Sequence, residues 1–573
     1  MSKRGLLPVA LVATLLAAPA TAGAAATLMP GVSYEREKRL IGGRAVVLHI
    51  VRTPPDGGLY QLRPVLSGNT VLGRQSVPSM QRSLSRRATT VGVNGDFFDM
   101  ATGRPSGVHM RDGVLKARPN AHRSALAIRF DGTLLVDRFR LRGTWQAGAN
   151  PNRRLHQLNR TLDGGGVALY TRDWGGRTQK GRGAVEVVLR PFPRTVLNGL
   201  LTGTVAKVRR DGDRRIPRGA AVLQARGDWR QTLLREAVRG SQVTVQLRMP
   251  GFPDDAADAV GGGPVLVRDG VPVRQADEWF TLDQLNARHP RTAVGQLGNG
   301  RLVFVVADGR SRRSRGVTQW QMAQTMAGLG ARTAMGLDGG GSSTIAVDGK
   351  VLNEPSDGVP RAVSSGLFVY YYGVYAPPPS RGVITPNGDG VSDTLVARAK
   401  VVRPSVVRLR LLRPDGSVAW RQRRSVGRGW ISRTVGARSM ANGRWRWVAV
   451  ATESVSGRRS RTTRAFAVNK TLGFLRLDRE RMRVRRGAGG RLSVSVRVAV
   501  RANLTVRVRS AAGTTRRVLH RGETGPGSHS WVWNGRGKTG GLVGSGVYTI
   551  DVRAVNGLGA VTLRDTVRVV RRS

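Results

Sequence analysis

The chain has 573 residues, 94 of them Lys or Arg against 36 Asp or Glu, a net charge of +58 and no cysteine. That length allows two to four domains, each with room for a core. The missing cysteines exclude disulfides, thiol nucleophiles and thiolate metal centres, a usage that suits a bacterial exported protein.

At the N-terminus Lys3 and Arg4 precede an apolar run from Leu6 to Leu16, too short for a stable membrane anchor. Ala20-Thr21-Ala22 is a small-x-small cleavage site. The pattern predicts an export signal over residues 1–22, with cleavage as late as 26, and hence an extracellular or wall-associated protein. No later stretch is long and apolar enough to cross a membrane. The arginines are scattered and little interleaved with aromatics, and no nucleic-acid module is visible. The basic charge therefore reads either as solvated faces or as affinity for an anionic polymer such as a wall phosphate polymer.

Ala45 to Val51 is a continuous apolar run suited to a buried strand. Ser76 to Arg87 has helical spacing, with Met80 and Leu84 on one face. Thr90 to Asn94 reads as a buried strand that ends in Asn94-Gly95, a turn signal, followed by Asp96, Phe97 and Phe98. His109 reads as a packed or exposed strand residue. Leu162 to Gly166 contains an Asp-Gly-Gly-Gly run but lacks hydroxyl residues after it, and is set aside as a turn. Ala259 to Gly270 holds a glycine turn before a strand, either a plain tight turn or a wall of a cleft. Arg291, Asp308 and Arg310 fall at strand ends. Thr318 and Gln321 form a capping box, and Trp320, Met322, Ala323, Met326 and Leu329 give that helix an apolar face ended by Gly330.

That helix leads into Met335-Gly336-Leu337-Asp338-Gly339-Gly340-Gly341-Ser342-Ser343-Thr344, then Asn353, Ser356, Asp357 and Arg361. Asp338 could handle a proton. Gly339, Gly340 and Gly341 could offer amides to an anion, and the three hydroxyls could hold a ligand. The same residues could equally form a plain glycine-rich hairpin. No Gly-Lys-Ser/Thr follows, which excludes a Walker loop.

The stretch resembles the signature of the phosphodiester glycosidase family: Leu-Asp-Gly-Gly-Gly-Ser-Ser-Thr, then Asn-x-Pro-Ser-Asp, then Arg. Asn94-Gly95 resembles another family segment, although Asp96 stands where that segment has glycine and has no role to inherit. The resemblance covers roughly 32–372. It implies hydrolysis of a sugar-1-phosphodiester to free sugar and phosphomonoester, with Asp338 and Asp308 as catalytic carboxyls. Asn94, Arg291, Arg310, Gly339, Gly340, Gly341, Ser343, Thr344, Asn353, Ser356, Asp357 and Arg361 would hold sugar and phosphate. No cofactor is required by the sequence, and an active-site divalent ion is left open.

Residues 374–381 are proline-rich and read as a linker. Beyond them, 382–468 and 469–573 have the strand rhythm of β-sandwiches. The second, through Trp531 to Arg536 and Gly544 to Ile550, resembles the immunoglobulin-like domain of flagellar hook-capping proteins. Its alternating Leu504 to Arg509 run would put arginines on one sheet face. Asn387, Asp389 and Asp393 alternate like early positions of a calcium loop, or form two plain turns.

The expected architecture is thus an α+β catalytic domain over 27–373, with mixed sheets and packed helices, followed by two all-β immunoglobulin-like sandwiches. Two other functions fit the same residues: an ordinary glycoside hydrolase acting on an unphosphorylated polysaccharide, and a non-catalytic wall- or glycan-binding protein.

Overall fold

The structure is a computed structural model that describes residues 21–22, 25–274, 277–388, 390–436, 439–485 and 488–572. All but two residues of the expected export signal, and Asp389 of the calcium-like loop, lie outside the described residues. The chain divides into two compact units, 1–371 and 372–573.

The first unit is built on antiparallel sheets. In its nine-stranded sheet, Arg44–Thr53, Leu302–Ala307, Arg291–Leu297 and Ala331–Leu337 are consecutive neighbours. Leu302–Ala307 is buried throughout, as expected of a continuous apolar run covered on both faces. The helix Gln319–Gly328 starts on the expected Thr318/Gln321 capping box. It lays Met322, Ala323 and Met326 against Val46, Leu48, Ile50, Val303 and Val305 of this sheet.

A five-stranded sheet places Thr89–Asn94 between Ile345–Val347 and Ser365–Tyr371. Another joins Ala125–Arg129, Ala256–Gly261 and His109–Arg111. His109 is a buried strand residue.

The α+β expectation needs correction. Among the described residues the first unit's α-helices are Val77–Leu84, Trp229–Glu236, Leu282–Asn286 and Gln319–Gly328, and the longest has 10 residues. Helical periodicity marks real elements here, but the β-branched runs dominate the unit and the helices only cover sheet faces. The unit is β-rich.

The second unit contains two sets of paired sheets. In the first, Val407, Leu409, Trp445 and Trp447 fill the core. In the second, Met482, Val484, Trp533 and Tyr548 do so. The stretch expected as linker begins inside the first core, because Val374 and Ala376 are completely buried in it.

Candidate active site

Three neighbouring strands deliver polar residues to one end of the nine-stranded sheet. Arg291 opens its strand opposite Ala307, which precedes Asp308. Thr292 stands opposite Leu337, which precedes Asp338. The second sheet adds Asn94, whose Oδ1 accepts from the Thr292 hydroxyl at 2.9 Å and from the Thr344 amide at 3.1 Å. Its Nδ2 donates to the Asp338 carbonyl at 2.7 Å. Asn94 is fully buried, and these three hydrogen bonds pin the signature turn to both sheets.

Asp338 keeps part of its surface open, yet burial pushes its carboxyl up to about 6. The Ser342 hydroxyl, the Gly339 amide and the positive charges of Arg361 and Arg123 work against that shift. The amide of Gly340 donates to the Pro290 carbonyl at 2.9 Å. The expected anion nest of Gly339, Gly340 and Gly341 is therefore already spent in part on the protein itself. The hydroxyls of Ser342, Ser343 and Thr344 are buried and meet hydrogen-bond geometry with no described protein partner. Such orphaned groups are rare in protein interiors. Ser342's effect on Asp338 is thus one of proximity without an aligned bond.

A second carboxyl lies beside Asp338. Asp96 is 2 % exposed, and burial pushes it up to about 7, with the Asp338 charge adding to the rise. Its Oδ2 accepts from the Gly107 amide at 2.6 Å, and its Oδ1 has no partner among the described residues. A β-carbon at Gly261 would lie 2.5 Å from Asp96 Oδ2. The carboxyl fits only because glycine stands there.

Arg123 serves both carboxyls. Its guanidinium sits 4.8 Å from the Phe97 ring centroid and 4.4 Å from that of Phe280. It lies within electrostatic reach of Asp96, Asp338 and Glu278. Glu278 is locked by Ser124, whose amide and hydroxyl donate at 2.8 and 2.9 Å, and by the Val265 amide at 2.9 Å. Arg361, the other cation, is held by Asp357 through Nε at 2.8 Å and Nη2 at 2.7 Å. Ser356 extends that pair through a 3.5 Å contact with Asp357 Oδ1.

Asp308 belongs to a separate buried network. Its Oδ2 meets His49 Nε2 at 2.8 Å, and His49 Nδ1 meets the Tyr34 hydroxyl at 2.8 Å. Its Oδ1 accepts from Asn353 Nδ2 at 3.3 Å and from the Glu354 amide at 3.2 Å. Asn353 in turn donates to the Ser343 carbonyl at 3.1 Å. These partners fix the Asp308 carboxylate in place beneath the signature turn.

The expected Arg291–Arg310 phosphate clamp also changes. Arg291 is buried and donates Nε to Val317 at 3.1 Å and Nη2 to Ala287 at 2.9 Å. Burial lowers its pKa to about 10. Arg310 is exposed, reaches His289 Nδ1 at 3.3 Å and passes close to Gly340. Of the two, only Arg310 is exposed.

Sequence reasoning left Asp96 without a role and did not single out Arg123 or Glu278. The signal for Asp96 was its departure from glycine in an otherwise matching segment. Arg123 and Glu278 sit in unpatterned loops and carry none. In the calcium-like loop, the Asp393 carboxylate accepts from the amides of Gly388 at 3.0 Å and Gly390 at 2.9 Å, the geometry of a turn.

Residues 195–370 match the family model described as phosphodiester glycosidase, and residues 483–557 match that of the FlgD Ig-like domain. The first match takes in Glu278, Arg291, Asp308 and Asp338, while Asp96 and Arg123 lie outside it. A 116-residue segment is 42 % identical to the SPbeta prophage-derived uncharacterized protein YomE of Bacillus subtilis (strain 168), covering 20 % of this chain and 18 % of that one. A 93-residue segment is 36 % identical to N-acetylglucosamine-1-phosphodiester alpha-N-acetylglucosaminidase of Homo sapiens, covering 15 % of this chain and 18 % of that one. The chain thus spans under a fifth of the length of these curated relatives. The crystal structure of a hypothetical protein from Synechocystis is similar in fold, with a TM-score of 0.51 at 22 % identity over 60 % of this chain and 62 % of that one.

Proposed function

We propose that this protein is an exported hydrolase that cleaves a sugar-1-phosphodiester to free sugar and phosphomonoester, on an extracellular or wall glycan. The observation that carries the reading is the pairing of two proton-holding carboxyls, Asp96 and Asp338, with two cations, Arg123 and Arg361, around the matched signature.

The roles follow from charge. A phosphodiester is an anion, and Arg123 and Arg361 offer guanidinium forks to its oxygens. Hydrolysis adds one water across the C1–O or P–O bond. The ionised carboxyl draws a proton from that water, and the protonated one gives a proton to the departing oxygen. Asp96 and Asp338 influence each other, so the pair holds one proton more readily than either two or none near neutral pH.

The arginines separate this reading from that of an ordinary glycosidase, whose neutral substrate does not need them. Sugar release by the full chain from a panel of sugar-1-phosphodiesters and neutral glycosides, beside Asp338→Asn, tests it. Turnover of phosphodiesters that disappears in a folded variant is expected. Cleavage of neutral glycosides alone would replace the reading with the glycosidase one. Silence on both panels, with retained glycan binding, would leave a binding protein.

A further inference from the structure

The first sandwich carries a patch of like charge that its fold does not need. One face of the sheet containing Ser405–Leu412, Val418–Val426, Gly443–Glu453 and Arg459–Val468 packs on the core. On the other face, Arg408 stands directly opposite Arg423, and Arg410 opposite Arg421. The row through Arg408 continues across Val450 to Arg461, with Arg459 two residues away on the same face. All six arginines are exposed, and none forms an ion pair among the described residues. The intervening positions are Val448, Val450, Thr452, Thr463 and Ser425, with no carboxylate among them.

Like charges directly opposite one another weaken a sheet. Edge protection explains arginines on Val418–Val426, which is an edge strand. It does not explain them on Ser405–Leu412, which is interior; Arg459–Val468 is paired on its outer side only at Ala467 and Val468, so Arg459 and Arg461 also stand at an edge. A basic composition alone does not select cross-strand register either. The run in the second sandwich that the sequence pointed to differs: Arg507 stands opposite Asp551, which also pairs with Arg564 at 2.9 Å. Its charge is answered within its own sheet.

We propose that this arginine face of the first sandwich binds a phosphodiester-linked polymer of sugars or polyols, the anionic wall polymer class. The choice of polymer rests on the phosphodiester reading of the first unit; the choice of an anion rests on the face itself. Strands about 4.8 Å apart and alternate residues about 6.7 Å apart form a lattice of guanidinium forks, each suited to two oxygens of one phosphate. Single-stranded nucleic acid is disfavoured because no aromatic stands in these rows as a stacking platform. Trp420 lies on the core side, with its ring centroid 6.0 Å from that of Trp447.

The test measures binding of the full-length protein to poly(glycerol phosphate) across a salt series. One variant carries Arg408→Gln, Arg410→Gln, Arg421→Gln and Arg423→Gln. A control loses the same charge from exposed positions of the first unit, through Arg86→Gln, Arg87→Gln, Arg215→Gln and Arg239→Gln. The patch variant should bind at least tenfold more weakly at about 150 mM salt, with the slope of log K against log salt reduced by about 3. The control should stay within twofold of wild type. Arg423→Glu, a single edge-strand change, should weaken binding in the same direction if the fourfold variant melts early. Equal losses in patch and control variants, no polymer binding by wild type, or tighter binding of single-stranded DNA than of the polymer overturns the proposal. Hydrolysis of a small sugar-1-phosphodiester is followed in the same preparations. It should be unchanged in both variants, and its absence alongside intact polymer binding would sink the catalytic reading while leaving the docking face.

Discussion

The Arg361 guanidinium lies against Gly341 so closely that a β-carbon there would stand 2.0 Å from its Nη2 and 2.3 Å from Asp357 Oδ2. The middle of the signature is thus glycine because an ion pair occupies the space a side chain would need. Gly341→Ala should displace the Arg361–Asp357 pair from its place beside Asp338. Overpacking of this kind costs about 1–3 kcal/mol. Steady-state kinetics on a sugar-1-phosphodiester should show kcat/KM down by about a hundredfold, close to 2.7 kcal/mol, with a melting temperature lowered by a few degrees. Wild-type turnover by Gly341→Ala would show that Arg361 has no part in the site.

Asp96 should make folding pH-dependent in a direction opposite to that of a salt-bridged carboxylate. Its folded pKa of about 7 lies above its ordinary value of 3.8. Between those values the folded state holds the proton that the unfolded state has released, so the group's contribution to stability falls as pH rises from about 4 to 7. Asp96→Asn should therefore be more stable than wild type at pH 8, by about 4 kcal/mol at most, and much like wild type at pH 4. The same variant should lose activity, because the amide cannot donate or accept the travelling proton. Melting curves at the two pH values decide it; an unchanged difference between them would mean that Asp96 titrates normally.

The site was legible where chemistry follows a turn and illegible where it follows packing. Asp338 and the hydroxyl run announce themselves by glycines that only a tight turn requires. The helix at 319–328 was readable from its cap and apolar spacing. Asp308 and Arg291 are ambiguous in the sequence because a strand-end position is compatible with both a reacting group and a strut. What decides is whether His49, Asn353 and the Val317 carbonyl consume their hydrogen-bonding capacity, and those partners lie far away in sequence. Arg123 was missed for the same reason: Phe97 and Phe280, which enclose it, come from segments with no pattern in common. The β-rich character of the first unit was underestimated because short capped helices carry stronger local signals than short strands.

Asp308 acts, on this geometry, by holding His49 and Asn353 in place. Asp308→Ala should leave His49 Nε2 without its partner and remove one of the two acceptors of Asn353 Nδ2, in a buried position. The expected cost is about 3 kcal/mol, read as a lower denaturation midpoint. Asp308→Asn, which keeps one acceptor and the shape, should recover much of it. Activity should fall with stability in both variants, while the pH dependence of kcat keeps its position. A displaced pH profile in a folded Asp308→Asn variant would restore it to the list of proton-handling groups.

Arg123 distinguishes a phosphodiester substrate from a neutral one. Its guanidinium packs over two adjoining aromatic rings and lies within electrostatic reach of both carboxyls. Arg123→Met keeps a long apolar stem between Phe97 and Phe280 and removes only the charge and the donors. On a sugar-1-phosphodiester its kcat/KM should drop by about a hundredfold, in the range for loss of one charged donor to a reacting anion. A neutral aryl glycoside of the same sugar should lose less than threefold if it is turned over at all. The variant also removes the positive charge that favours ionised Asp96 and Asp338. The upper limb of the pH–rate profile should therefore move to higher pH, since the pair keeps its proton longer. Equal losses on charged and neutral substrates, with an unmoved pH profile, would show Arg123 to be a packing residue and would remove the main electrostatic argument for a phosphodiester substrate.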